Sequence, residues 1–320
     1  MSDPISTIRT FNRHWTEVLG LLDEGLLETE HSLAEARVIF ELAGHKKRER
    51  LELRQHLGMD ASFLTRVLTR LEQRGLVVST PSSTDGRALD ISLTTAGRAA
   101  FKVLDRRSAK QIGGLIAALS ADQKALVTES MTVIRHLTDH GPADGQVSIR
   151  GLRPGDLGWV VQRHGAIYAD EFGWNIEFEA LVAHIVADYQ SRKTGQSRKT
   201  GQSRNAVCSG ADRENAWLAE VDGARAGCIF CCEKSADTAQ LRILLVEPWA
   251  RGLGLGSRLV DECIAFARRS GYSRITLWTN DILVAARRIY EAAGFVLVDE
   301  DPHHSFGADL VGQNWDLHIA

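Results

Sequence analysis

In the first third of the chain, apolar residues recur three or four apart. Ile5, Ile8, Phe11, Trp15, Val18, Leu19, Leu22 and Leu26 trace one face of a helix. The same period runs through "SLAEARVIFELA" (32–43), "RERLELRQHLG" (48–58) and "ASFLTRVLTRLEQRG" (61–75), predicting three more helices. The pattern then changes. "LVVSTPSSTDGRALDISLT" (76–94) sets two short β-prone runs around a tip rich in Ser, Pro, Asp and Gly, which predicts a hairpin. Helical spacing resumes from Thr94 to about Leu119 and again from Ala121 to Leu137.

"GPADGQ" (141–146) has no apolar periodicity and reads as a linker. Beyond it, strands and helices alternate. Strand "VSIRGLR" leads to helices in "GDLGWVVQRHGAIYADEFG" and "IEFEALVAHIVADYQ". Strands follow in "AWLAEVDG", "RAGCIFCCEKS" and "AQLRILLVEP", the first two joined at Asp222-Gly223. Helix "GSRLVDECIAFARRSG", strand "SRITLWTN", helix "ILVAARRIYEAAG" and strands "FVLVDE" and "NWDLHIA" complete the order. The pattern predicts two domains: a mainly α one with a single hairpin over 1–140, then, past the 141–146 linker, an α/β mixed-sheet domain over 147–320. A length of 320 residues agrees, because one hydrophobic core rarely grows past about 250–300 residues. The hexapeptide duplication "SRKTGQSRKTGQSR" (191–204) is basic and polar, and reads as a mobile surface loop.

Composition narrows the classes. The chain is 44% hydrophobic and 25% charged, the balance of a soluble globular protein. No stretch approaches the roughly 18 apolar residues of a membrane span, and the start has no secretory pattern. The cysteine count of five is odd and without framework, which points to a cytoplasmic location. Cys228, Cys231 and Cys232 in "CIFCC" lie in a strand-like apolar run with no second Cys/His pair, so they read as core packing, and no metal site is expected.

Charge adds a location. The net −3 conceals a basic island: from His45 to Arg107 there are 13 Lys and Arg against 7 Asp and Glu. Such an island points to a polyanionic partner there. Within it, Leu64, Val67, Leu68 and Leu71 form the apolar stripe of one helix, which Asp60 can cap and Gly75 can end. The opposite face offers Ser62, Thr65, Arg66, Thr69 and Arg70, short donors and guanidinium forks suited to base edges and phosphates. Arg87 sits at the hairpin tip, with Asp85 placed to orient it.

"DASFLTRVLTRLEQRGLV", "DGR" and "ISLTTAGR", taken together, resemble the MarR family of winged-helix regulators, over about residues 5–138. The resemblance implies a mainly α winged helix-turn-helix fold in a homodimer, joined by its terminal helices, that binds a double-stranded DNA operator.

"VEPWARGLGLGSR" (246–258) places glycines ahead of a helix, where unpaired N–H groups and a positive partial charge attract phosphate. A Walker A loop would need Gly-Lys-Ser/Thr, and the dinucleotide fingerprint would need glycine where Ser257 stands. The spacing is Arg251-x-x-Gly254-x-Gly256, after a strand ending "LLVEP". With strand "ITLWTN" and helix "AARRIYEAAGF" following in order, the stretch resembles motif A of the GNAT superfamily, from about Val147 to the C-terminus.

That resemblance implies the GNAT acyl-CoA N-acyltransferase fold and acetyl-CoA as co-substrate, without a metal. The amides of Arg251, Gly252, Leu253, Gly254, Leu255, Gly256 and Ser257 would hold its pyrophosphate, with the Arg251 side chain assisting. Leu245 and Val246 would pair with the pantetheine arm, and Asn280 would face the same cleft. Tyr290 matches the acid that protonates the leaving thiolate, and Glu247, at the strand end, is the candidate base. His164, Tyr168 and Glu171 form a polar cluster for the acceptor, and "DPHHSFGADL" adds a loop with His303, His304 and Ser305. The acceptor is a small amine or a protein lysine, and a non-catalytic acetyl-CoA or amine sensor is the alternative reading.

Overall fold

The computed structural model describes residues 3–21, 26–82, 88–138, 145–194 and 213–319. Contacts divide the chain into two compact units, Met1–Ala121 and Asp122–Ala320. The division falls ahead of the glycine-proline stretch.

The helices of the first unit are α1 (Pro4–Val18), α2 (Leu33–Ala43), α3 (Arg50–Leu57), α4 (Ala61–Gln73) and α5 (Thr95–Ile116). α1 stops short of the periodic run to Leu26. Gly20, two residues past Val18, adopts left-handed backbone (φ 60°), which ends the right-handed helix there. α2 opens on a reciprocal capping box between Ser32 and Glu35. The predicted hairpin forms from β2 (Val77–Pro81) and β3 (Leu89–Leu93). A two-residue strand that periodicity could not reveal, β1 (Arg48–Glu49), pairs with the far side of β3. Leu64, Val67, Leu68 and Leu71 all face the core, against Ile39, Leu53 and Ile91 among others. Burying each such side chain stabilises the unit by about 1.5–3 kcal/mol, which fixes the rotation of α4 and leaves its other face in solvent.

The second unit holds α6 (Ala121–Thr138), β4 (Val147–Gly151), α7 (Asp156–Phe172), α8 (Ile176–Lys193), β5 (Asn215–Val221), β6 (Ala224–Glu233), β7 (Thr238–Val246), α9 (Leu255–Arg269), β8 (Arg274–Asn280), α10 (Val284–Ala292), β9 (Val296–Ser305) and β10 (Ala308–His318). Its seven strands form one sheet, ordered β4-β5-β6-β7-β8-β10-β9, antiparallel except for the β7–β8 pair. α7 and α8 cover one face; α9 and α10 cover the other. The strand period distributes the cysteines: Cys228 and Cys232 join the core beneath α7 and α8, and Cys231 joins the opposite core. The Asp222-Gly223 turn (φ 51° and 83°) joins β5 to β6.

The segment "DPHHSFGADL" departs from its reading as a loop. β9 runs on through His303, His304 and Ser305, turns at Phe306-Gly307 (φ 58° and 80°), and returns as β10. Most of the duplicated segment, 195–204, and the hairpin tip with Asp85 and Arg87 lie outside the described residues.

Two irregularities of β7 position the site. Ile243, a β-branched residue, takes φ 52°, and β6 pairing jumps from Cys228↔Leu245 to Phe230↔Arg242. Two residues of β7 therefore oppose one of β6, a bulge that bends the strand. On the other side, pairing with β8 ends at Leu241↔Leu277. From Arg242 to Val246 the β8-facing edge has no strand partner, and the sheet opens there.

Candidate functional site

The opening in the sheet leads to the mouth of α9. Gly252 (φ 86°) and Gly254 (φ 72°) hold left-handed backbone that a side chain would strain, and no side chain caps the helix. The first helical amide to find a carbonyl is that of Arg258, bonded to Gly254 O at 3.1 Å. The amides from Gly252 to Ser257 have no acceptor among the described residues, so they suit an anion. Gly256 serves packing instead: a Cβ there would lie 2.5 Å from Ile289 Cδ1 on α10.

This mouth lines a cavity of about 650 Å³, together with Leu244, Leu245 and Val246 of β7, Ile167, Tyr168 and Glu171 of α7, and Ala286 and Ile289 of α10. The predicted coenzyme residues Leu245, Val246, Arg251, Gly252, Gly254, Leu255, Gly256 and Ser257 thus meet on one surface. Leu253 belongs to the loop without lining the cavity. A smaller cavity of about 110 Å³ adjoins it, sharing Tyr168, Leu244, Leu283 and Ala286. His164, Trp174, Phe178, Gln240, Arg242, Trp278, Asn280 and Tyr290 are among its other walls.

The polar cluster of α7 is divided between the two. Tyr168 faces both cavities. Glu171 lines the larger one and grips Arg251 at 2.7 and 3.0 Å, so the Arg251 side chain is engaged by a carboxylate. His164 lines the smaller one, stacked on Tyr168 with ring centroids 5.9 Å apart. Its Nδ1 is 2.8 Å from Val160 O, its Nε2 is buried without a partner, and burial pushes its pKa down to about 4. The ring is therefore neutral at pH 7, with Nδ1 donating and the Nε2 lone pair free.

Asn280 lines the smaller cavity rather than the larger one. It is 1% exposed and its Oδ1 has no partner. Tyr290 on α10 is buried there too, against Phe295, and its hydroxyl makes no hydrogen bond among the described residues. Burial raises its pKa well above the ordinary phenol value, so it stays protonated.

Glu247 is engaged away from the two cavities. It lines neither cavity and is 3% exposed. Arg163 of α7 holds both carboxylate oxygens, Nε to Oε1 at 2.6 Å and Nη2 to Oε2 at 2.9 Å. A carboxylate held by a guanidinium fork anchors α7 to the end of β7. Arg163 carries no sequence signal of this role, since the pair is 84 residues apart. A signal that did stand in the open was Arg242, a charge inside the apolar run "LRILLV".

In the first unit, Ser62, Thr65, Arg66, Thr69 and Arg70 are all exposed on α4, opposite the buried stripe. Asp60 caps the helix, accepting from the Ser62 amide at 2.8 Å and from the Ser62 hydroxyl at 2.5 Å, contacts that hold its carboxyl below the usual range. Arg66 lies over the Phe63 ring at 5.8 Å, and Arg50 of α3 bonds Thr65 Oγ1. Arg87 lies outside the described residues.

An α/β sheet split at its parallel pair, with a glycine-mouthed helix across the split, defines a fold that cradles an anion beside a free strand edge. Residues 179–295 match the acetyltransferase (GNAT) family, and residues 31–88 match the MarR family. The MarR-family match lies in the first unit and the GNAT-family match in the second. Among curated relatives, an uncharacterised N-acetyltransferase of Schizosaccharomyces pombe is 38% identical over 23% of this chain and 41% of its own length. N-acetylaspartate synthetase of Danio rerio is 33% identical over 26% and 30%. Mycothiol acetyltransferase of Beutenbergia cavernae is 33% identical over 26% and 28%. The chain spans less than half the length of these relatives. Among the described residues, no helix is long and apolar enough to cross a membrane.

Proposed function

We propose that the second unit is an acetyl-CoA-dependent N-acetyltransferase and that the first is a DNA-binding regulator acting as a homodimer in the cytoplasm. The observation that carries the enzymatic reading is the pairing of unsatisfied amides at the α9 mouth with an unpartnered β7 edge, both on one cavity. A diphosphate fits the first and an extended amide-containing arm fits the second.

Acetyl-CoA, when bound, supplies an activated acyl thioester. The amides of Gly252 to Ser257 hold its diphosphate and the helix dipole adds to that hold. The free edge at Leu245 and Val246 orients the arm toward the smaller cavity, whose contents meet it at Tyr168 and Leu244. Tyr290 donates a hydrogen bond to the departing sulfur. A phenol with a raised pKa cannot by itself protonate a thiolate whose conjugate acid lies near 8.5, so the proton is returned from the ammonium formed in the same step. Among the described residues, no carboxylate lines the smaller cavity. The incoming amine therefore sheds its first proton to water, and His164 Nε2 serves as hydrogen-bond acceptor for the amine.

Binding of DNA rests on the exposed donors of α4, the hairpin beside it and the MarR-family match. Dimerisation rests on the apolar residues exposed on α1, Ile5, Ile8 and Phe11. The test is calorimetry with acetyl-CoA, followed by thiol release with a panel of amines and a lysine-rich protein. Gly254→Val should weaken acetyl-CoA binding by about tenfold or more, because a left-handed non-glycine residue costs roughly 1–2 kcal/mol and a β-branched one more. Absence of any heat at millimolar acetyl-CoA would falsify the enzymatic reading.

A further inference from the structure

Among the described residues, the smaller cavity carries one fixed positive charge and no negative one. Arg242 lines it from β7, with Gln240 two residues earlier on the same face. Their partners across the strand pair are Phe230 and Cys232, both in the core beneath α7 and α8, so Arg242 and Gln240 face those helices.

Neighbouring arginines are occupied. Arg163 is held by Glu247, Arg192 by Glu214 and Arg251 by Glu171. Arg242 has no ion-pair partner among the described residues. Asp188 acts on it from a distance, but is itself exposed and paired with His184 at 3.2 Å. Arg242 is half-buried, and partial loss of water together with the nearby Arg192 charge lowers its pKa. An arginine remains charged regardless. A half-buried guanidinium without an ion-pair partner, on the wall of a cavity, is a ready counter-charge for a bound anion.

The other unused groups are arranged for the rest of a ligand. Asn280 Oδ1 and His164 Nε2 are buried acceptors without partners, and Trp174 Nε1 is a buried donor without one. All three line this cavity. Acceptors suit an amine N–H, and donors suit an anion.

We propose that the acceptor is a small amine that also bears a carboxylate, with Arg242 binding the carboxylate and Asn280 and His164 receiving the amino group. This assignment rests on the acetyltransferase reading. One guanidinium balances one negative charge, which favours a carboxylate over a phosphate or phosphonate. A volume of about 110 Å³ limits the molecule to amino-acid size.

The experiment compares the common L-amino acids with their C-terminal carboxamides, by thiol release at saturating acetyl-CoA. Binding of the same pairs is measured by calorimetry with coenzyme A present. The acid should be favoured over its amide by about tenfold or more in kcat/KM and in affinity. Arg242→Gln should collapse that ratio toward one, and Arg242→Lys should keep part of it. Aminomethylphosphonate should bind less well than glycine. Amides that match or surpass acids in the wild type overturn the assignment, as does an acid-to-amide ratio unchanged in R242Q, or a preferred phosphonate. If coenzyme A binds but no amine turns over, the calorimetric ratio decides the assignment by itself. Loss of coenzyme binding in the wild type strikes the acetyltransferase reading instead, and leaves the ratio to be read separately.

Discussion

The two units solve recognition with opposite materials. α4 of the first presents side chains: Ser62, Thr65, Arg66, Thr69 and Arg70 project from a regular helix whose other face is core. The cleft of the second presents backbone: free amides at Gly252 to Ser257, a bulge at Ile243, and a strand edge abandoned by its neighbour. A side-chain site tolerates any substitution that keeps the helix and changes only what it reads. A backbone site depends on conformations that single residues permit, and its side chains are free to do chemistry or to brace the cleft. Substitutions in the two units should therefore fail in different ways.

The largest effect is expected where a side chain does chemistry inside the backbone site. Tyr290→Phe keeps the ring against Phe295 and removes only the hydroxyl. Turnover should fall by roughly 10²-fold, the scale of losing one hydrogen bond to charge that develops in the transition state, with acetyl-CoA affinity held within about twofold. Rates equal to wild type under saturation would remove Tyr290 from the chemistry and reduce the cleft to a binding site.

A second effect separates the units by pH. His164 has its pKa pushed down to about 4 in the folded protein, against 6.5 when exposed. Between those values the unfolded chain binds the proton and the folded one does not. Stability is therefore fully present above about pH 6.5 and lost as pH falls toward 4, by roughly 1.4 kcal/mol per unit and about 3 kcal/mol in all. Urea melts across that window should show the slope in the second unit, and His164→Gln should flatten it. An identical slope in the variant would assign the loss to other groups.

Arg66→Ala tests the side-chain site. Loss of a fork on a base edge should weaken specific operator binding by about 1–3 kcal/mol, while an arginine that meets only phosphate lowers all sequences alike and reduces the salt slope by about one. Titrations on specific and random duplexes at several salt concentrations distinguish these outcomes. Unchanged affinity for both would take Arg66 out of the interface.

The same contrast explains what could be read from the chain alone. The α4 stripe was legible because burial of Leu64, Val67, Leu68 and Leu71 imposes a period on the sequence. The glycine loop was legible because left-handed backbone at Gly252 and Gly254 selects glycine. Nothing in "RILLV" announces that Ile243 has φ 52° or that β8 departs after Leu277, since these follow from packing on both faces of the sheet. β1 is too short for any period, and the β9–β10 hairpin was hidden by its Pro, His and Gly content. Arg163 and Glu247, 84 residues apart, meet only once α7 lies on β7.

That last pair supplies the smallest and sharpest test. From sequence, Glu247 is a carboxylate at the end of an opened strand and therefore a candidate base. In the structure both of its oxygens face Arg163, and it touches neither cavity. The two roles predict different losses for Glu247→Gln, which keeps the shape and one acceptor but removes the charge. A bracing role costs stability: about 1–2 kcal/mol, below the figure for a wholly buried pair because Arg163 remains 28% exposed. In a unit of this size that lowers Tm by a few degrees, with kcat within about threefold. A base role costs rate: roughly 10²-fold or more in kcat at unchanged Tm. Measuring both on one preparation decides between a side chain that does chemistry and one that holds the backbone where chemistry is done.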